Sequence, residues 1–168
     1  MRSSYTISRL SLDKIGAHDA NFIFELVNLP DWKRFNGDRN VTSRAAAEVY
    51  IEGMVTNPDT ECWVVRLKQE KPPVGIITFI KREYLQHPYI GFTFLPEYRS
   101  QGYAYEATGT VLEEVKLNTA FTHVHATVLK ENQKSIYLLE KLGLRYEKNV
   151  RVKNDELLLY TIALSVYN

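Results

Sequence analysis

The segment YRSQGYAYEA, residues 98–107, sets an arginine, Arg99, and a lone glycine, Gly102, where an apolar strand pattern hands over to a helical one. Amides at a helix start have no intrahelical acceptor, and the aligned peptide dipoles add partial positive charge there, so the arrangement suits an anion such as a phosphate. A Walker A loop would need G-x-x-x-x-G-K-[ST] and a dinucleotide fingerprint G-x-G-x-x-G; the segment has neither. What it has is R-x-x-G-x-A, Arg99 to Ala104. Two readings of that pattern stand at this point: a phosphate loop, or a turn eased by Gly102 beside a solvated Arg99. Other residues capable of chemistry are fewer. His123 and His125 alternate with Val124 and Ala126, which puts both imidazoles on one face of a strand; they read as sheet residues and not as a metal site or proton relay. Cys62 is the single cysteine, so no internal disulfide is available, and no Cys/His cluster has zinc spacing. At the start of a strand-like run it reads as a small core residue.

The charge balance limits what the anion site can be. Lys and Arg total 21 against 20 Asp and Glu, a formal net charge of +1, so no global field draws nucleic acid or an anionic membrane. Any anion site must be local. The opening MRSSYTISRL lacks the apolar core of a signal peptide, and no apolar run approaches the roughly 18 residues of a membrane span. The expectation is a cytoplasmic protein with no membrane partner. With 168 residues, 45% of them hydrophobic, and no linker-like tract, residues 1–168 are expected to form one domain.

The periodicity then supplies the elements that must position Arg99 and Gly102. TISRLSL alternates like an edge strand, and HDANFIFELVNLP has a helical apolar spacing that Pro30 is expected to close. VTSRAAAEVYIEGM predicts a second helix capped by Thr42 or Ser43, with Ala46, Val49, Tyr50 and Gly53 on one face. CWVVRL, VGIITFIK and YIGFTFL are β-branched and aromatic runs in succession, the pattern of an antiparallel meander. From Gln101 to about Asn118 the apolar spacing is helical, and HVHATVL then alternates strictly, so this strand returns by a parallel crossover. NQKSIYLLEKLGL predicts a shorter helix ended by Gly143 in a left-handed cap. RYEKNVRV and ELLLYTIALSV close the chain as strands, joined at KND. Gly91, inside YIGFTFL, is either a packing concession or a bulge, and the bulge is the favoured reading.

The segment FLPEYRSQGYAYEA, together with N-x-x-S-x-x-x-x-E-K-L-G from Asn132 to Gly143, resembles the GNAT superfamily of acyl-CoA-dependent N-acyltransferases. ISRLSL, the first-helix region and the VTS before the second helix narrow the resemblance to the branch of ribosomal-protein-alanine N-acetyltransferases. The resemblance implies an α/β (α+β) GNAT fold: a single mixed six- to seven-stranded sheet, about four flanking helices, and two parallel central strands splayed to admit CoA. It implies acetyl-CoA as cosubstrate and no metal. The amides of Gln101, Gly102, Tyr103, Ala104 and Tyr105 would cradle the pyrophosphate beside Arg99, and the strand carrying Phe92 and Phe94 would offer backbone to pantetheine. Relatives more often carry Ser or Thr at the position of Tyr105, which leaves the amides but not that side chain as the expected phosphate contacts.

By the same resemblance, Asn132 helps hold the pantetheine arm besides capping its helix, and Ser135 protonates the departing thiolate. Many relatives use a tyrosine immediately before the glutamate of EKLG; here that residue is Leu139, and Tyr137 lies about 200° round the helix. Glu61 falls approximately where close relatives carry a basic glutamate, so it is either the general base or an exposed strand-edge carboxylate. The acceptor implied is a primary amine, in this branch a protein N-terminus. The alternatives are a small amine such as a polyamine or aminoglycoside, or a non-catalytic acyl-CoA-binding module.

Overall fold

The computed structural model describes residues 1–68, 71–118 and 120–164. Among them are eight strands in one sheet: β1 (Ser4–Thr6), β2 (Leu10–Lys14), β3 (Thr60–Leu67), β4 (Pro73–Ile80), β5 (Tyr89–Phe94), β6 (His123–Val128), β7 (Arg145–Val152) and β8 (Asp155–Ala163). The sheet order is β1-β2-β3-β4-β5-β6-β8-β7, and β5–β6 is the parallel pair. Five α-helices accompany the sheet: α1 (Ala20–Val27), α2 (Pro30–Asn36), α3 (Arg44–Thr56), α4 (Tyr103–Leu117) and α5 (Gln133–Lys141).

The strand total exceeds the expected six or seven because TISRLSL is not one edge strand. The chain folds back at Ile7, whose amide donates to the Leu10 carbonyl at 3.0 Å, and makes the hairpin β1–β2. The helix total exceeds four because, although α1 ends ahead of Pro30 as expected, Pro30 also begins a helix. It stands in the first turn of α2, where its fixed φ suits the helix and its missing N–H has no partner to lose. In α3, Ser43 is the cap and accepts from the Ala46 amide at 3.0 Å. The buried face of α3 is Ala47 and Ile51, however, while Val49 is 74% exposed. An alanine-rich helix leaves the apolar stripe poorly defined, and packing of α3 beside α1 and β3 decides it.

Alternation along β3 sends Trp63 and Val65 to one face and Cys62 and Val64 to the other, which divides the core in two. On the first face lie Ala107, Val111, Leu112 and Val115 of α4 with Leu139 of α5. On the second lie α1, α2 and α3. Burial pushes the Cys62 thiol up to about 12, so it is held as an inert core thiol. Helix α5 ends in a complete Schellman turn: Leu144 N–H to the Leu139 carbonyl and Gly143 N–H to that of Glu140, both 3.0 Å, with Gly143 at φ +100°. The β7–β8 hairpin turns at Lys153, and Ser165 and Val166, at the end of the expected last strand, lie outside the described residues. No helix among the described residues is long and apolar enough to cross a membrane.

Candidate active site

Strand β4 holds β5 along its whole length, from Gly75↔Phe94 to Ile80↔Tyr89. On its other side β5 meets β6 at Tyr89↔His125, where the His125 amide also donates to the Pro88 carbonyl at 2.8 Å. Beyond that contact the two strands part. Gly91 does not cause the parting by a bulge, since its pairing with Thr78 is in continuous register. A Cβ there would come 2.7 Å from Thr78 Oγ1 and 2.8 Å from the Tyr89 ring, so Gly91 is the packing concession. The closed end of the gap is crowded by imidazoles, with His87 4.6 Å from His123 and 5.0 Å from His125 between ring centroids.

The gap opens into a cleft of about 900 Å³. Phe92 and Phe94 form its β5 wall. Its floor is Arg99, Ser100 and Gly102 of the preceding loop and the first turn of α4, with Tyr103, Ala104 and Tyr105. Two loop residues take left-handed backbone, Ser100 at φ +59° and Gly102 at φ +83°, which turns the chain sharply into the helix. The N-cap of α4 is Gly102 itself, without a side chain, so the first-turn amides have neither intrahelical nor side-chain acceptors. Helix α5 forms the opposite wall. Residues 134, 135, 137, 138 and 141 face the cleft, the spacing of one helical side, and Asn132 caps that helix by accepting from the Ser135 amide at 3.4 Å.

Most of the residues singled out in the sequence therefore converge: Phe92, Phe94, Arg99, Gly102, Tyr103, Ala104, Tyr105, Asn132 and Ser135 line one cleft. Two do not. Gln101 is in the loop but not on the cleft lining; its side chain donates to the Glu97 carbonyl at 2.8 Å and its carbonyl accepts from Arg9, contacts that leave the amide expected to meet the phosphate unengaged. Glu61 lies outside the cleft lining, its carboxylate 2.8 Å from Lys14 Nζ and 3.8 Å from the N-terminal amine. That pairing satisfies the carboxylate and leaves a base role without geometric support. Arg99 is also less free than a phosphate ligand would be, because Nε donates to the Phe94 carbonyl at 3.0 Å and Nη1 to Asp31 at 2.6 Å. It ties the end of β5 to α2.

A scan against family models matches the acetyltransferase (GNAT) domain over residues 9–145. The chain belongs to the GNAT acetyltransferase family. It is 31% identical over 134 residues to the N-acetyltransferase YnaD of Bacillus subtilis (strain 168), covering 70% of this chain and 75% of that one. As a GNAT protein it is an acyltransferase. The GNAT fold is shared with the ribosomal-protein-S5-alanine acetyltransferase of Vibrio fischeri at a TM-score of 0.81, over 99% of this chain and 100% of that one, with 15% identity. It is shared equally with the spermidine N-acetyltransferase of Vibrio cholerae, solved with CoA and spermine, at a TM-score of 0.79, over 94% and 97%, with 18% identity.

Against the GNAT pattern, Leu139 is 2% exposed and packed in the core, whereas Tyr137, 68% exposed, lines the cleft. The helical angle that set Tyr137 apart from position 139 is the angle that turns it to the gap. Sequence reasoning missed Trp32 and Phe35, which α2 brings to the cleft, and the cations Lys134 and Lys141. Lys141 Nζ sits 4.4 Å over the Tyr105 ring. Its i, i+7 spacing from Lys134 was the available signal.

Proposed function

We propose that this chain binds acetyl-CoA with its pyrophosphate on the first turn of α4 and transfers the acetyl group directly to the α-amine of a protein N-terminus. The observation that carries the CoA part is the uncapped, glycine-led start of α4 opening into the gap between β5 and β6. Free amides and the helix dipole offer the charge complement of a pyrophosphate, and the parted strands offer unpaired backbone to an amide-bearing arm. The neutral amine attacks the thioester carbonyl to give a tetrahedral intermediate, and its nitrogen gives up one proton to solvent. Collapse of the intermediate breaks the C–S bond as a proton is delivered to the thiolate sulfur, leaving the amide and the free thiol. Ser135 and Tyr137 are the hydroxyls of α5 on the cleft lining, which supports assigning that last step to one of them.

The charge of the cleft supports the α-amine over a polycation. Its lining carries Asp31 and Glu131 against Arg99, Lys134 and Lys141, and Asp31 is already paired with Arg99. With Glu61 outside the cleft, a strong base is in short supply. Roughly one α-amine in ten is neutral at pH 7, against about one lysine in 2,500, so the α-amine needs the least deprotonation help. The test is release of CoA thiol from acetyl-CoA across N-terminal peptides, lysine peptides, polyamines and aminoglycosides. Turnover confined to N-terminal peptides is expected. Turnover with polyamines or aminoglycosides and none with peptides would replace the acceptor.

A further inference from the structure

We infer that Arg9, which lies in the turn between β1 and β2, is a positioning residue that holds the phosphate loop in its binding shape; this rests on the pyrophosphate reading above. The loop needs such a brace. Ser100 and Gly102 both occupy left-handed backbone, and an exposed serine is not held there by its own preference. From the far edge of the sheet, Arg9 Nη1 donates to the Gln101 carbonyl at 3.0 Å, between those two residues. Its Nε donates to Glu106 Oε2 at 2.9 Å, and its guanidinium stacks 4.5 Å over the Tyr103 ring. The third nitrogen, Nη2, lies 3.2 Å from where a Cβ on Gly102 would stand. One planar fork thus touches the residue before the glycine, the residue after it, and the first turn of α4.

The other end of the brace is fixed as well. The Arg9 carbonyl accepts from Lys68 N–H at 3.1 Å, its amide donates to Glu106 Oε1 at 3.3 Å, and Ser8 Oγ donates to the same oxygen at 3.1 Å. The contact also answers an electrostatic problem. Glu106 stands in the first turn of α4, where its charge would oppose an incoming pyrophosphate. Ion pairing with Arg9 at 2.9 Å compensates that charge while the fork shapes the loop.

The experiment compares CoA binding by calorimetry and steady-state kinetics in wild type, Arg9→Ala and Arg9→Lys, with acetyl-pantetheine as the thioester that lacks the pyrophosphate. In Arg9→Ala, the Kd for CoA and the KM for acetyl-CoA are expected to rise about tenfold to a hundredfold with kcat at saturation changed less than about twofold. The KM for acetyl-pantetheine is expected to stay within about twofold of wild type. Arg9→Lys keeps the charge but not the fork and is expected to fall between. An unchanged CoA affinity in Arg9→Ala overturns the inference, and so does an equal loss for both thioesters, which would mark general damage to the fold. Failure of the wild type itself to bind CoA would sink the pyrophosphate reading and this brace with it.

Discussion

Ser135 and Tyr137 compete for one role, and their positions on α5 make the competition decidable. Both line the cleft, and Ser135 sits in the first turn of the helix that Asn132 caps. Proton delivery to a leaving thiolate is worth on the order of a hundredfold in rate, while neither hydroxyl is needed to hold the pyrophosphate on α4. Ser135→Ala is therefore expected to lower kcat by about a hundredfold with the Kd for CoA within about twofold of wild type. Tyr137→Phe is expected to be the milder of the two, because its side chain is largely in solvent. A kcat loss in Tyr137→Phe with none in Ser135→Ala would transfer the role. What made Ser135, Asn132 and Gly102 legible in the sequence is that each belongs to a short local motif whose spacing survives folding. Arg9 was not legible, since its partner Gln101 is 92 positions away and nothing in residues 7–10 signals a contact across the sheet.

Strands β5 and β6 are clasped at one end and open at the other, and the clasp is titratable. His125 Nδ1 lies 2.8 Å from Thr161 Oγ1, whose own proton goes to Glu147 at 2.6 Å, so the imidazole must be the donor to the hydroxyl. Burial holds His125 below its ordinary value, and His87, His123 and Lys148 push it further down while Glu147 pulls it up. Burial and then His123 lower His87 in the same way. Unfolded histidine takes its proton near pH 6.5, and the folded pair takes it lower, so more protons are bound in the unfolded chain across that window. The stabilisation is complete above about pH 6.5 and is lost as pH falls through the lowered values. The midpoint of thermal unfolding is expected to decline over that window in wild type, and more shallowly in His125→Asn, which keeps a donor toward Thr161. Equal slopes would remove the His125 imidazole from the effect. Elements were legible where periodicity was strong, as in α4 and the β7–β8 hairpin. They were not where Pro30 began a helix, or where seven alternating residues hid the turn of a hairpin.

The whole sheet is joined at this same place. Strands β1 to β5 form one antiparallel run and β6, β8 and β7 another, and among the described residues the two runs meet at Tyr89↔His125, with α4 and α5 packed across the seam. A ligand laid in the gap would touch both runs, so its binding free energy becomes folding free energy for the molecule as a unit. At a hundredfold excess over Kd, that linkage amounts to about 2.7 kcal/mol. For a chain of this length it corresponds to a rise of roughly 5–10 °C in Tm. CoA is expected to produce such a rise, and Gly102→Glu is expected to abolish it, since the new side chain is strained at φ +83° and sets a carboxylate on the anion site. Hydrogen exchange separates the two parts of the reading. If pantetheine hydrogen-bonds to the parted strand, CoA slows exchange in β5 around Phe92 to Phe94 as well as in the first turn of α4. Protection confined to α4 would leave the phosphate loop standing and remove the strand from the site.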